Sequence, residues 1–408
     1  MYEYFLLEKG STKKFKISLL VWAIMLIIIR EPKLLTHPRF WAEEGSTYFK
    51  FATQHTFLEA LLAPHIDYYS LVPNFATALA NLFPLKSAPL VCTIIALFMQ
   101  MIPVFVLIFG KFKYWQTPLQ KIVFVICCIT LPESETWLNT INSQFFLGLA
   151  VALLLLEAEY LNKTKKIFAL IVLLISGLTG PLSAFLTPLY LYKGYVKKQK
   201  NVRQLSVVLL LTSIFQTSLF FYLHYVQPSS TTRFSDFNFS ILIKGFFAEF
   251  FGLIKFVGAN DKKNIGIVLS IYLILLFVDS YKKKIYIDFE IITSFFVVAV
   301  LSIAGSLNMG GATRYAYIPC MLLVILIYSD VLSNKPIESW RKNVSGLIFI
   351  VTFTAYVFFY RYDRLGDFKG PKWKDEVKAW EKDPTKSLKI YPEGWEFCID
   401  KNARQKSN

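Results

Sequence analysis

Hydrophobic runs and short clusters of basic residues alternate along most of the chain. Because Lys and Arg beside a membrane are retained on the cytoplasmic side, each cluster marks a connector that stays inside. The clusters lie at residues 9–16, 111–121, 163–166, 193–203, 282–284 and 335–342. Between consecutive clusters the chain must leave and return, so outer connectors are predicted at residues 31–87, 133–143, about 177–181, 226–263 and 305–314.

This alternation predicts about eleven transmembrane helices, with the N-terminus inside and the C-terminus outside. Several are shorter than the roughly 20 residues that a perpendicular helix needs. Residues 166–196 are interrupted by Gly177 to Pro181 and form either two short crossings or a re-entrant hairpin. Residues 66–83 are predicted to lie along or partly in the outer leaflet. The predicted crossings are residues 15–30, 88–110, 120–132, 144–161, 166–180, 181–196, 204–225, 264–281, 288–305, 315–333 and 343–360.

The first apolar run follows three lysines, as the apolar part of a signal peptide does. No small-x-small cleavage motif comes after it, so the run is predicted to stay attached as an anchor.

The tail, residues 361–408, has a different character, with charges throughout and few aliphatic residues. Trp373, Val377 and Trp380 recur at helical spacing, and two short extended segments flank the turn residues Pro392-Glu393-Gly394. We therefore predict an all-α polytopic membrane domain over residues 1–360, with an extracytoplasmic loop at 31–87. A small extracytoplasmic α+β cap follows over residues 361–408.

Composition supports the membrane assignment and narrows the choice of partners. The mean hydropathy of +0.46 lies outside the range of soluble domains, as do the 55% hydrophobic and 18% charged residues. The net charge of +16 is divided among the short clusters, so it indicates topology and not nucleic-acid binding. Four of the five cysteines lie in hydrophobic segments and the fifth stands alone, which predicts neither a disulfide framework nor a zinc site.

The first outer loop carries two adjacent acids in the sequence H-P-R-F-W-A-E-E-G, residues 37–45. Pro38 suits the start of a helix, and a helix begun by Phe40 would place Glu44 on the flank of an aromatic face and Glu43 on the polar face. Desolvation beside the aromatic face would raise the pKa of Glu44, as a catalytic base requires. Glu43 is the second candidate, and the roles reverse if the polar face lines the cavity. Alternatively, both are first-turn acids of an interfacial helix, favoured by the helix dipole.

Two arginines are candidates for binding a phosphate. Arg314 enters a hydrophobic run directly after Gly310-Gly311, where an arginine is costly unless it is paired. Its partner is predicted to be the donor phosphate, and the alternative is an interfacial arginine that extends to water. Arg39, in the same motif as the acid pair, is the second predicted phosphate ligand.

Several polar and aromatic residues of the predicted outer side suit sugar recognition. The motif W-L-N-T-I-N-S-Q, residues 137–144, places amides at roughly helical spacing at the mouth of a crossing, although bonding between helices would use them equally well. The tryptophans of the tail could stack on sugar faces, or at least two of them could pack the cap. The histidines lack metal-ligand spacing, so no cofactor is predicted; a divalent metal is an open alternative that the sequence does not support. The predicted sugar and acceptor ligands are His65, Asn139, Asn142, Gln144, Trp373 and Trp395.

An acid pair in the first outer loop, after one anchor helix and before many crossings, resembles the GT-C superfamily of polyprenyl-phosphate-sugar-dependent glycosyltransferases. The R-F-W-A-E-E-G segment, P-H-x-x-Y-Y at residues 64–69, W-L-N-T-I-N-S-Q, and G-L-T-G-P are similar to the phage-type serotype-converting O-antigen glucosyltransferases. The likeness extends to the tail, from Gly370-Pro371 to Gly394-Trp395. It implies that an acid of the first loop, Glu44 or Glu43, is the catalytic base. The aliphatic middle of the chain departs from this pattern.

The resemblance implies an inverting glycosyltransferase of the bacterial plasma membrane that acts on its outer face. The donor would be an undecaprenyl-phosphate-linked hexose, glucose by the resemblance, and the acceptor a surface glycan such as O-antigen. No Rossmann or P-loop fingerprint is present, so no nucleotide is expected. The alternatives are a flippase or transporter of lipid-linked oligosaccharide, a polymerase or ligase that shares the chemistry, and an accessory subunit.

Overall fold

A computed structural model describes residues 12–65, 68–131, 134–226, 259–306, 313–358, 360 and 371–400. Asp67, Gly310-Gly311 and most of the predicted connector 226–263 lie outside these described residues. The chain begins with a long helix, α1, and then forms a loop built of short helices. These are α1 (Lys13–Arg30), α2 (Lys33–Thr36), a π-helical segment (Glu44–Phe49) that continues as α3 (Lys50–Gln54), α4 (Phe57–Leu62) and α5 (Leu71–Asn81).

The remaining helices form the main bundle. In chain order they are α6 (Ala88–Phe109), α7 (Pro118–Thr130), α8 (Ser143–Glu157), α9 (Lys163–Gly177), α10 (Thr187–Leu191), α11 (Lys200–Val226), α12 (Ala259–Lys282), α13 (Tyr286–Ser306), α14 (Tyr317–Leu332) and α15 (Ser339–Phe358). Short 3₁₀ or π turns connect several of them, at Lys113–Trp115, Ser134–Thr136, Ala158–Tyr160, Leu182–Leu186, Tyr192–Val196 and Thr313–Ala316.

A helix or helical run occupies each of the predicted crossings. The predicted break is also present, because α9 ends at Gly177 and the chain resumes as a 3₁₀ turn at Leu182. Within the described residues, four helices are long and apolar enough to cross a membrane: Ala88–Phe109, Ser143–Tyr160, Lys200–Leu223 and Arg314–Leu332. The chain is thus a mostly helical protein with membrane-spanning character, and the full number of crossings and their sidedness stay predictions.

The bundle has two central helices, α8 and α14. Nearly every side chain of both is buried, as expected for helices that are apolar all round. Helix α6 packs along α8, α13 and α15 pack against α14, and α9 packs against α11. On α11 many large apolar side chains face outward, among them Leu211, Ile214 and Phe221. In water such a surface would favour aggregation, whereas in a bilayer it faces hydrocarbon.

The cap consists of α16 (Trp373–Lys382) and an antiparallel pair of strands, β1 (Leu388–Ile390) and β2 (Trp395–Phe397). The helix and the hairpin thus form where the sequence predicts them. The cap shares one hydrophobic cluster with the loop and the start of α6. This cluster includes Phe40, Phe49, Ala76, Ala88, Cys92, Trp373, Val377, Trp380, Leu388, Ile390 and Phe397.

Candidate functional site

Residues 38–42 are not helical and are bonded to the cap, so the prediction of a helix begun by Phe40 is wrong. The N–H of Tyr391 donates to the Phe40 carbonyl at 3.0 Å, and the N–H of Ala42 donates to the Tyr391 carbonyl. Ala42 has φ 43°, in the left-handed region that non-glycine residues rarely adopt. The helix therefore starts only at Glu44, as a π-helical turn.

Gly45 lies in the π-helical turn at a point where the cap approaches the backbone closely. A Cβ atom at this position would lie 2.9 Å from both Ile390 Cδ1 and Phe40 Cβ. The glycine of the R-F-W-A-E-E-G motif is therefore required by the contact between the loop and β1.

Glu44 is buried, with 3% of its surface exposed, whereas Glu43 is half-buried. The Oε1 atom of Glu44 accepts hydrogen bonds from the Thr140 N–H at 2.8 Å and from the Thr140 hydroxyl. Its Oε2 accepts from the Trp41 N–H at 3.3 Å. Burial raises the pKa of the Glu44 carboxyl, and this desolvation outweighs the opposing effect of the hydrogen bonds. The difference in burial between Glu44 and Glu43 follows the predicted order.

Thr140 is presented by a strained loop that precedes α8. Leu138, two residues before Thr140, has φ 49°, just as Ala42 lies two residues before Glu44 in a left-handed conformation. Such conformations cost about 1–3 kcal/mol each and cluster at functional sites. Thr140 belongs to the motif W-L-N-T-I-N-S-Q, but the spacing of the amides in that motif predicts ligands only at Asn139, Asn142 and Gln144.

Asn139 and Asn142 hold this loop together. Asn139 Oδ1 accepts from the N–H and the Nδ2 of Asn142, at 3.1 and 2.8 Å, and both amides donate to the Glu135 carbonyl. These bonds lie within one loop, not between helices. The sugar-binding role predicted for the two amides stays a prediction.

Two arginines from other parts of the chain contact the same loop. Arg314 forms an ion pair with Glu135, at the start of the loop. Arg30, at the end of α1, lies over the Trp137 ring at 4.2 Å from the centroid and donates to the Ile129 carbonyl. Arg30 is not among the site residues predicted from the sequence, although an arginine at the end of an apolar run indicates a functional charge. In the structure this side chain is buried.

The P-H-x-x-Y-Y and G-L-T-G-P motifs meet at the predicted break. The N–H of Leu71 donates to the Leu178 carbonyl at 2.7 Å, and Gln216 of α11 bonds both Tyr69 and Gly177. Gly180 has φ 98°, and a Cβ there would lie 2.5 Å from Gln144 Oε1. Gln144 therefore contacts the break, as its place at the head of α8 allows.

His65 lies between α4 and α5, edge-on to the rings of Tyr48 and Phe51. Its ring centroid is 4.7 Å from that of Tyr48 and 5.0 Å from that of Phe51. Burial, together with the nearby His55, lowers the pKa of His65 to about 4. The ring is therefore neutral at pH 7 and suits hydrogen bonding to a hydroxyl, not ion pairing with a phosphate. Among the described residues no three His, Cys, Asp or Glu side chains come together as metal ligands.

Arg39 lies in the interface between loop and cap. Its guanidinium donates to the Lys389 and Pro371 carbonyls and lies 5.7 Å from the ring centres of Trp373 and Tyr391. Desolvation lowers its pKa from the usual value. These contacts are to the cap, and the phosphate role predicted for Arg39 stays a prediction.

The tryptophans of the cap divide into packed and exposed ones. Trp373 is buried and donates its Nε1–H to the Leu85 carbonyl at 2.9 Å, and Trp380 is buried in the same cluster. The packing alternative therefore describes the observed environment of these two. Trp395 remains 37% exposed, so its ring can stack on a sugar.

Replacing Arg39 with Ala should loosen the cap without disturbing the membrane helices. The change removes charge-assisted hydrogen bonds to two carbonyls, each contributing about 1.5–3 kcal/mol. Limited proteolysis followed by mass spectrometry should show faster cleavage after residue 371 in Arg39→Ala. The control, Lys378→Ala, removes a basic side chain that is 74% exposed on the cap and should behave like the parent. Equal cleavage of the two variants would contradict the clamping role.

Comparison with protein-family models, with curated protein sequences and with solved structures finds no match. The site is therefore defined by its geometry alone: a buried carboxylate, the loop that holds it, and two arginines that contact that loop.

Proposed function

We propose that the protein is an inverting glycosyltransferase that transfers a hexose from a polyprenyl phosphate to a glycan. The observation that carries this proposal is the environment of Glu44. A buried carboxylate with a raised pKa is bonded to a hydroxyl that can exchange with another hydroxyl. This is the arrangement a general base needs.

The Thr140 hydroxyl occupies the position in which an acceptor hydroxyl would donate to Glu44. In the proposed reaction Glu44 takes the proton of the acceptor hydroxyl as the oxygen attacks the anomeric carbon. The bond from that carbon to the phosphate oxygen breaks, and polyprenyl phosphate leaves with the bonding electrons. One attack at the carbon inverts its configuration.

The charge that develops on the departing phosphate needs a cation. Arg314 is the first candidate, because its ion pair with Glu135 fixes it to the loop that also holds Glu44 through Thr140. Arg30 is the second, since it lies against Trp137 of the same loop. Both sit at the ends of helices and not in the middle of the bundle, which suits a phosphate at the membrane surface.

The transporter alternative requires ionisable groups along a path through the bundle. The two central helices carry acidic or basic side chains only near one end, Glu157 in α8 and Asp330 in α14. That distribution argues against a path of ionisable groups along the two central helices.

The proposal is tested with the full-length protein purified into lipid vesicles. Supplied with radiolabelled undecaprenyl-phosphate glucose and lipid-linked O-antigen, it should transfer the label to the acceptor with inversion. Transfer from a lipid-linked oligosaccharide, but not from the monosaccharide donor, would support the polymerase or ligase instead. Movement of labelled lipid between leaflets without transfer would overturn the enzyme assignment in favour of the flippase.

Replacing Arg314 with Gln should raise the KM for the lipid-linked donor by about ten-fold, as expected for one charge-assisted contact. The Arg314→Lys variant keeps the charge but loses the planar guanidinium, so its KM should fall between those of the parent and Arg314→Gln. The matched control is Glu135→Gln, which removes the partner and leaves the cation. If Glu135→Gln weakened donor use as much as Arg314→Gln, the ion pair would have a structural role, and the donor-binding role of Arg314 would be contradicted.

A further inference from the structure

A groove lies at the opposite end of α6 from Glu44. It has a volume of about 350 Å³ and is formed by the last turns of α6 and α8 and the first turns of α9. Phe105 stacks on Phe109 and lies 5.1 Å from Phe168, so three rings form one wall. Leu154 and Leu161 line the rest with hydrocarbon. Phe105 is 36% exposed, so the groove opens to the surface of the bundle.

The position of the groove places it at the other membrane surface. The start of α6 belongs to the cluster shared with the loop and the cap, and Cys92 there lies within electrostatic range of Glu44. Phe105 and Phe109 are in the last turns of this helix of 22 residues. At 1.5 Å per residue the two ends are about 30 Å apart, the thickness of the hydrocarbon core.

Ammonium groups surround the mouth of the groove and outnumber the carboxylates. Lys165 Nζ lies 3.0 Å from Glu157 Oε1 and 2.7 Å from the Phe109 carbonyl. Lys121 Nζ contacts the Leu107 and Gly110 carbonyls at 3.1 and 3.0 Å. Lys16 is close enough to Lys165 and Lys111 to be repelled by both. Lys121 is buried, so Lys16, Lys111 and Lys165 carry the positive charge at the mouth, and Glu157 of the lining offsets one of the three.

We propose that this groove binds one acyl chain of an anionic phospholipid, whose phosphate is held by Lys16, Lys111 and Lys165. Most of the lining is hydrocarbon and suits an alkyl chain, whereas the side chains of Glu157, Thr164 and Lys165 supply its polar groups. The excess of positive charge at the mouth would be relieved by a phosphate. The volume is at the lower end of the roughly 300–1,000 Å³ of ligand sites, which fits one chain and not a whole lipid.

The test measures the unfolding temperature of the full-length protein in a neutral detergent as lipid is added. Dioleoyl phosphatidylglycerol should raise it at lower concentration than dioleoyl phosphatidylcholine, which has the same chains and no net charge. Inorganic phosphate alone should have little effect. Equal action of the two lipids would overturn the proposal, as would full stabilisation by inorganic phosphate, which would indicate a site for a free anion.

Two kinds of variant separate the phosphate contacts from the groove. The double variant Lys16→Gln/Lys111→Gln should require about ten-fold more phosphatidylglycerol for the same shift. Lys163→Gln removes an exposed lysine of α9 that does not line the groove, and should match the parent. An equal loss in Lys163→Gln would indicate general electrostatic attraction and contradict a specific site.

The groove itself is tested by filling it. Thr164 is exposed and lines the groove, so Thr164→Trp should block the acyl chain without removing any core packing. Its control is Ile167→Trp, on the outer surface of the same helix, where the side chain is 52% exposed. Undiminished phosphatidylglycerol stabilisation in Thr164→Trp would show that no chain enters the groove.

Discussion

Replacing Arg341 with Met should destabilise the protein by about 3–5 kcal/mol, the cost of leaving buried charges without their partner. The Arg341 guanidinium is fully buried and joins three other helices to α15. Its Nη1 contacts Asp279 of α12 at 3.0 Å, its Nη2 contacts Asp288 of α13 at 2.6 Å, and its Nε contacts Asp330 of α14 at 2.8 Å. Lys335 is the second buried cation of this network.

Without Arg341 three carboxylates would share Lys335 and the more exposed Lys283, which lies 3.9 Å from Asp279. We expect a markedly lower unfolding temperature and poor recovery from detergent. The control is the neighbouring Lys342→Met, which removes an exposed positive charge from the same helix. Adding Asp330→Leu to Arg341→Met should recover part of the stability, because it removes one of the uncompensated charges. An unchanged unfolding temperature in Arg341→Met would show that the network does not hold the four helices.

This network also shows what the sequence pattern could not predict. Hydrophobic runs place Asp279 and Asp330 near the ends of their helices, and the helices form there. Their common partner is 62 and 11 residues away along the chain. Periodicity describes each helix separately, so it carries no information about which helix ends meet.

The acid pair gives a second example: the predicted order of burial agrees with the structure, whereas the predicted helix from Phe40 is wrong. The helical wheel predicts that Glu44 is more desolvated than Glu43, and the structure buries them in that order. The helical wheel assumes a helix from Phe40, whereas the chain is not helical up to Ala42. The cause is a set of backbone hydrogen bonds to Tyr391, almost 350 residues later, which no local pattern reveals.

Arg39 shows the same limitation. Its place beside the acids suggests a phosphate ligand, because both belong to one short motif. In the structure the side chain points to the carbonyls of residues 371 and 389 in the cap. A motif fixes which residues are neighbours in sequence, but it does not fix which of them face the same cavity. Arg30, which lies outside the motif, contacts Trp137 in the loop before α8.

Replacing Glu44 with Gln should reduce sugar transfer by about 10²- to 10⁴-fold, the usual contribution of a general base. Gln keeps the size of the side chain and an oxygen that can accept from Thr140, but it cannot take the proton of the acceptor hydroxyl. The matched control is Glu43→Gln, the same change one residue earlier on a half-buried side chain, which should leave more activity.

Stability distinguishes a catalytic Glu44 from one that only holds the loop. Because burial raises the pKa of Glu44 in the folded state, its ionised form opposes folding, and the parent gains stability as the pH falls through that raised pKa. Glu44→Gln lacks this titration, so at pH 7 it should unfold within about 1 kcal/mol of the parent, and its stability should depend less on pH. Transfer by the parent should decline over the same pH range as Glu44 becomes protonated. A strongly destabilised Glu44→Gln would indicate a structural carboxylate, and parental rates in both single variants would refute the catalytic role and favour the transporter or accessory alternatives.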